Sequence, residues 1–128
     1  MRGVRMALTA LALLGVGGLA GCDSGPKGPG AITLTAEGPS LGGVVLEVEG
    51  PGIRSFTARG SARVYSATVA GRQGVHRVVM IDPEPGSMAL DVQVDDLGME
   101  GPLVRVVSAA NGDNEAIRRS LVTIRSER

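Results

Sequence analysis

Two segments of the chain alternate between apolar and polar or small residues. In the first segment Val44, Leu46 and Val48 lie on one face, and Val45, Glu47 and Glu49 lie on the other. In the second segment one face carries Met88, Leu90, Val92 and Val94, and the other carries Ala89, Asp91, Gln93 and Asp95. Successive side chains of a β-strand point to opposite faces of its sheet. Each segment therefore predicts a strand with one core face and one solvent face.

Breaks rich in Gly, Pro and Asn separate further apolar segments at the spacing of strands joined by turns. Of the 16 Val, 14 follow Cys22, as do all five Ile, and β-branched residues favour strands. The predicted strands are 31–37, 43–49, 53–58, 62–70, 75–82, 87–95, 103–109 and 117–125. The continuous apolar run 78–81 indicates a central strand, and the best helical candidate is a single turn at 114–118. We predict an all-β fold over residues 31–128, an antiparallel two-sheet sandwich of about eight strands, immunoglobulin-like or jelly-roll.

The N-terminal pattern is different. Arg2 and Arg5 precede an apolar run from Ala7 to Gly18, which is typical of a secretory signal peptide. The run is shorter than the roughly 20 residues that a transmembrane helix needs. We therefore predict export of the chain and removal of this segment.

The run ends at Leu19-Ala20-Gly21-Cys22, and Cys22 is the sole cysteine of the chain. This arrangement resembles the lipobox of bacterial lipoproteins. The resemblance implies cleavage before Cys22, a diacylglycerol on its thiol and an amide-linked acyl chain such as palmitate on its amino group. Several acyl chains anchor a protein stably, whereas one holds it only marginally.

These features divide the chain into three parts. We expect residues 1–21 to be a cleaved signal peptide, 22–30 a lipidated N-terminus with a Gly/Pro-rich linker, and 31–128 one sandwich domain. The resemblance also gives Asp23 a possible sorting role, since Asp after the acylated Cys retains lipoproteins in the inner membrane of enteric bacteria. The expected location is the cell membrane or the outer membrane, facing the periplasm or the exterior.

A second resemblance concerns the domain. Gly42-Gly43-Val44-Val45-Leu46-Glu47-Val48, the apolar hairpin around 83–86, the strand 103–109 and the turn 111–114 resemble cohesin-type and carbohydrate-binding-module-type sandwiches. The resemblance implies a jelly-roll that binds a protein or a glycan through an exposed face. No binding residue transfers, because the chain lacks the additional loops of cohesins.

The formal charge of zero conceals two opposed blocks. Residues 50–81 hold five Arg, His76 and no acid, whereas residues 82–104 hold six acids and no base. The simpler interpretation is cross-strand pairing, with each exposed pair contributing up to about 1 kcal/mol. The alternative is a bipolar surface that faces anionic lipid, an envelope polymer or another copy of the chain.

Candidate chemistry is sparse. The only thiol is Cys22 and the only imidazole is His76, which we place in the core or on a strand surface. Asp91, Asp95 and Asp96 could supply oxygen ligands for Ca²⁺, but the acidic pattern of an EF-hand is absent and a solvent-facing strand explains them more simply. We predict no catalytic site, no bound metal and no cofactor beyond the acyl groups.

Aromatic residues make up 2% of the chain, which argues against stacking on nucleic acids or sugars. The predicted function is that of a non-enzymatic, lipid-anchored envelope protein whose sandwich serves protein–protein interaction or envelope assembly. The predicted partners are the membrane, through the anchor, and an envelope protein, with no nucleic acid. The alternative is a binding module for a glycan or another small envelope ligand.

Overall fold

The computed structural model describes residues 25–128. Their strands are β1 (Gly30–Glu37), β2 (Leu41–Glu49), β3 (Ile53–Ala58), β4 (Arg63–Thr68), β5 (Val75–Ile81), β6 (Met88–Val94), β7 (Leu103–Asn111), β8 (Ala116–Ile117) and β9 (Thr123–Glu127). A 3₁₀ turn, Arg119–Leu121, lies between β8 and β9. Across this part of the chain, no helix is long and apolar enough to cross a membrane.

The strands form two antiparallel sheets that pack face to face, which confirms the predicted sandwich. One sheet has the order β3-β6-β1-β9 and the other the order β4-β5-β2-β7-β8. The pairs β4·β5, β3·β6, β2·β7 and β1·β9 are nested one outside the other. Such nesting arises when one long hairpin folds over into two sheets, which is how a jelly roll is constructed. In the immunoglobulin constant domain the first two strands share a sheet, whereas β1 and β2 lie in different sheets here.

The core lies between the sheets and consists almost entirely of aliphatic side chains and methionine. Both alternating segments place their predicted core face inward, because Val44, Leu46 and Val48 of β2 and the even-numbered residues of β6 are buried. Ile32, Leu34 and Ala36 of β1 and Val78 and Met80 of β5 complete the centre. The chain has no tryptophan, so its core is built from these smaller side chains. Their burial is the main contribution to stability.

The C-terminal region differs from the prediction of one strand over 117–125. The chain leaves the five-stranded sheet after β8, makes the 3₁₀ turn and enters the four-stranded sheet as β9. The polar sequence Arg118-Arg119-Ser120 offers no side chain to the core, whereas Val122 just after it is buried. The helical turn predicted at 114–118 is wrong, because Ala116 and Ile117 form β8, and the 3₁₀ turn lies beyond it at Arg119–Leu121.

The turn at 111–114 joins the paired strands β7 and β8, and the Asn-Gly pair in it is typical of hairpin turns. Asn111 accepts hydrogen bonds through Oδ1 from the N–H groups of Asp113 and Glu115, and Asn114 has a φ of 63°. Asparagine tolerates this left-handed conformation better than most residues. The turn thereby positions β8 against the end of β7.

Candidate interaction surface

The two outer faces of the sandwich differ in chemistry. The outer face of the four-stranded sheet carries Thr33, Thr35, Ser55, Thr57, Asp91 and Gln93, as register and alternation require. Thr33 donates a hydrogen bond from its hydroxyl to Asp91 Oδ1 at 2.8 Å, and Arg59 donates to the same oxygen at 2.9 Å. This face is polar, and Asp91 finds its hydrogen-bond partners within the domain.

The outer face of the five-stranded sheet is apolar at its centre. In one row across the strands, Tyr65 of β4 lies opposite Val79 of β5, which lies opposite Val45 of β2. In the adjacent row, Ile81 lies opposite Gly43, which lies opposite Ala110 of β7. Tyr65 is 58% exposed and Ile81 is 47% exposed. We call Val45, Tyr65, Val79, Ile81 and Ala110 the apolar patch.

A shallow depression of about 190 Å³ lies within the apolar patch. Gly43 forms part of its floor because it has no side chain to fill the space between Ile81 and Ala110. A Cβ atom built on Gly43 would have the carbonyl oxygen of Met80 as its nearest neighbour, at 3.6 Å. The sheet surface is therefore concave here and could accept a protruding apolar group.

Three arginines converge on Glu47 beside the apolar patch. Arg77 of β5 and Arg105 of β7 lie directly opposite Glu47 on either side of β2, and Arg72 reaches it from the connection between β4 and β5. Arg77 donates to Glu47 Oε1 at 2.7 Å and Arg72 donates to Oε2 at 3.0 Å, and Arg105 also donates to Oε2. We call Glu47 and these three residues the arginine cluster.

The arginine cluster keeps Glu47 ionised although its side chain is only 5% exposed. The hydrogen bond from Arg77, with those from Arg72 and Arg105, lowers the pKa of Glu47 from 4.5 to about 2 against the opposing effect of desolvation. The three guanidinium groups are about half exposed or more and outnumber the carboxylate. The cluster therefore presents an excess of two positive charges at the surface.

The two charge blocks of the sequence pair with each other only in part. Arg54 pairs with Asp95 and Arg59 pairs with Asp91, each joining the basic block to the acidic one as the simpler interpretation predicts. Arg72 and Arg77 instead pair with Glu47, which belongs to neither block. Two of the five block arginines thus pair with Glu47, and Arg63 lies opposite Ile81 on the same outer face of the five-stranded sheet.

The remaining candidate residues make contacts within the fold. Asp91 and Asp95 accept from arginines, whereas Asp96 Oδ1 accepts from the N–H groups of Gly28 and Gly98 at 2.8 Å each. Between residues 25 and 128 there is no group of three acidic, His or Cys side chains arranged to hold a metal ion. His76 lies edge-on to Phe56 with ring centroids 5.4 Å apart, on the core side of β5.

Cys22 and the flanking positions Leu19, Ala20, Gly21 and Asp23 lie outside the described residues. Comparisons with protein-family models, with curated proteins and with solved structures find no match for this chain.

Proposed function

We propose that this protein is an exported, lipid-anchored component of the bacterial cell envelope whose β-sandwich docks another envelope protein. Acyl groups on Cys22 hold it at the cell membrane or the outer membrane, on the side of the periplasm or the exterior. Its role is non-enzymatic. The anchor rests on the lipobox resemblance of residues 19–22, and the docking role rests on the folded domain.

The observation that carries the docking proposal is the contrast between the two outer faces. A sandwich needs only its inner faces to be apolar, yet the outer face of the five-stranded sheet exposes Tyr65 and Ile81 around a depression. Contiguous exposed apolar surface rimmed by polar residues is typical of interaction sites. Tyrosine and arginine are also among the residues most enriched at the energetic centres of protein interfaces.

The chemistry of this face supports a partner surface of complementary chemistry. The apolar patch matches aliphatic side chains, and the excess positive charge of the arginine cluster matches carboxylates placed beside them. Arginine binds carboxylates through two parallel hydrogen bonds, so it contributes specificity as well as attraction. We expect a partner surface that combines apolar residues with Asp or Glu, and an association rate that falls as salt increases.

The test compares matched substitutions on the two faces. Tyr65→Asp places a charge in the apolar patch on edge strand β4, and Ser55→Asp places the same charge on the polar face of edge strand β3. The acylated proteins are crosslinked in the envelope and purified, and the captured proteins are quantified. We expect one stoichiometric protein with the unsubstituted chain and with Ser55→Asp, and its loss with Tyr65→Asp.

Two outcomes would overturn the docking proposal. Capture of the same protein by Tyr65→Asp at the unsubstituted level would show that the apolar patch is not the interface. Recovery of a glycan in place of a protein would support the alternative of a glycan-binding module.

The anchor has its own test, which is mass spectrometry of the mature N-terminus. A diacylglycerol thioether with an amide-linked acyl chain on Cys22 is the expected result. An unmodified Cys22, or cleavage at another position, would refute the lipoprotein assignment whatever the sandwich binds.

A further inference from the structure

The chain enters the sandwich at one defined end. Gly28 donates its N–H to Asp96 Oδ1 at 2.8 Å, and its carbonyl oxygen accepts from the N–H of Leu97 at 2.8 Å. A Cβ atom on Gly30 would overlap the side chain of Leu97, so β1 begins in close contact with the connection between β6 and β7. The fold thus holds the chain from Gly28 onward.

The connections 50–52, 69–74 and 95–102 meet at this end, which we call the tether end. Six peptide steps separate Cys22 from Gly28. At no more than about 3.6 Å per residue, they span at most about 22 Å. If Cys22 is acylated as proposed, the tether end lies within that distance of the bilayer surface.

The tether end also exposes apolar side chains. Met99 is 46% exposed and Leu103 is 71% exposed, the highest value among the large hydrophobic residues that the structure describes as exposed. Both line a cavity of about 740 Å³ that opens between the three connections. Exposed apolar side chains of this size beside an anchored chain fit the boundary between lipid headgroups and acyl chains.

The aspartates of the tether end are compensated within the protein. Asp95 is paired with Arg54, and Asp96 accepts from two backbone N–H groups. The exposed acids Glu49 and Glu100 line the same cavity, and the basic residues Arg72 and Arg128 also lie at this end, so its remaining charges are mixed in sign.

We propose that the tether end rests on the bilayer, with Met99 and Leu103 at the level of the headgroups and the strands directed away from the membrane. This inference rests on the proposed acylation of Cys22. In this orientation the outer face of the five-stranded sheet is perpendicular to the membrane and accessible to a partner in the same compartment.

The experiment measures the depth of three fluorescent labels on the acylated protein in phosphatidylethanolamine/phosphatidylglycerol vesicles that contain headgroup nitroxide lipids. The labels are attached to Gln73→Cys at the tether end, Glu84→Cys at the opposite end and Tyr65→Cys on the apolar patch. The thioether at Cys22 does not react with the label. We expect severalfold stronger quenching at position 73 than at position 84, with position 65 intermediate.

A second protein combines Gln73→Cys with Met99→Ser and Leu103→Ser. We expect its quenching to fall toward the value at position 84, because the contact with the headgroups is lost while the anchor remains. Unchanged quenching would overturn the assignment of the contact to these two side chains.

Equal quenching at all three positions would mean that the domain tumbles on its linker, and the strongest quenching at position 65 would mean that the apolar patch lies flat on the membrane. Either result overturns the proposed orientation. Mass spectrometry of the same samples separates this failure from that of the proposed function, because a protein without acyl groups refutes the anchor itself.

Discussion

Alanine substitution at the neighbouring glycines Gly42 and Gly43 is expected to have opposite effects on stability. A Cβ atom on Gly42 would lie 2.8 Å from the carbonyl oxygen of Asn111 and 2.8 Å from the Cα of Gly112. These are backbone atoms of a turn held by the hydrogen bond from Gly112 N–H to the oxygen of Ser40 at 3.0 Å. At Gly43 the nearest atom is 3.6 Å away, which is ordinary van der Waals contact.

The size of each effect follows from these distances. Relieving the contact at Gly42 requires the turn to move by about half an ångström, and overpacking of this kind costs about 1–3 kcal/mol. Gly43→Ala meets no obstacle and restricts the unfolded chain, which contributes about 0.4–1 kcal/mol of stability. The expected difference between the variants is therefore about 1.5–4 kcal/mol, a large part of the 5–15 kcal/mol typical of a small domain.

The assay is urea unfolding of the purified protein followed by far-UV circular dichroism, since the chain has no Trp and a single Tyr. The midpoint should fall for Gly42→Ala and rise for Gly43→Ala at an unchanged denaturant slope. Equal midpoints, or a larger loss for Gly43→Ala, would show that β2 does not lie against the 111–112 turn as described.

Further predictions concern the core, the arginine cluster and the tether end. Leu46→Ala removes a fully buried side chain and is expected to cost about 2–5 kcal/mol in the same unfolding assay, and a loss below 1 kcal/mol would contradict the described core. The pKa of Glu47 is lowered to about 2, so its ionisation stabilises the fold above pH 4.5 and this contribution is lost as the pH falls toward 2. Glu47→Gln should therefore be less stable at neutral pH and lose less stability on acidification, and an unchanged pH profile of unfolding would disprove the pairing. Asp96→Asn weakens the hydrogen bonds to Gly28 and Gly98, and faster amide hydrogen exchange at those two glycines, with β1 still protected, is the expected result.

Local pattern was sufficient to predict most strands because their alternation reflects burial directly. In β6, and in β2 from Val44 onward, every second side chain enters the core, and the turns between strands are marked by Gly, Pro or Asn. The prediction was wrong where one continuous strand was expected over 117–125. There, Ile117 and Ile124 pack against the core from different sheets, and no local signal says that the chain changes sheet between them.

The arginine cluster could not be predicted because it depends on strand order. Glu47 occupies a solvent position of β2 by alternation, and an exposed glutamate was the natural expectation. Its burial requires β5 and β7 to flank β2 in a register that places Arg77 and Arg105 opposite it. A sequence signal exists, since each of these strands has one outward arginine, but it becomes informative only once the pairing is known.

The nested strand pairs have a consequence for when the domain can fold. β1 pairs with β9, so residues at opposite ends of the domain must meet before the four-stranded sheet is complete. Folds dominated by contacts distant in sequence fold slowly, on the scale of milliseconds to seconds. An exported chain, as we propose this one to be, gains from this order, because the edge pair of β1 and β9 cannot form until the end of the domain is present. Slow folding of this topology would keep more of the chain unfolded, and therefore able to cross the membrane, during export.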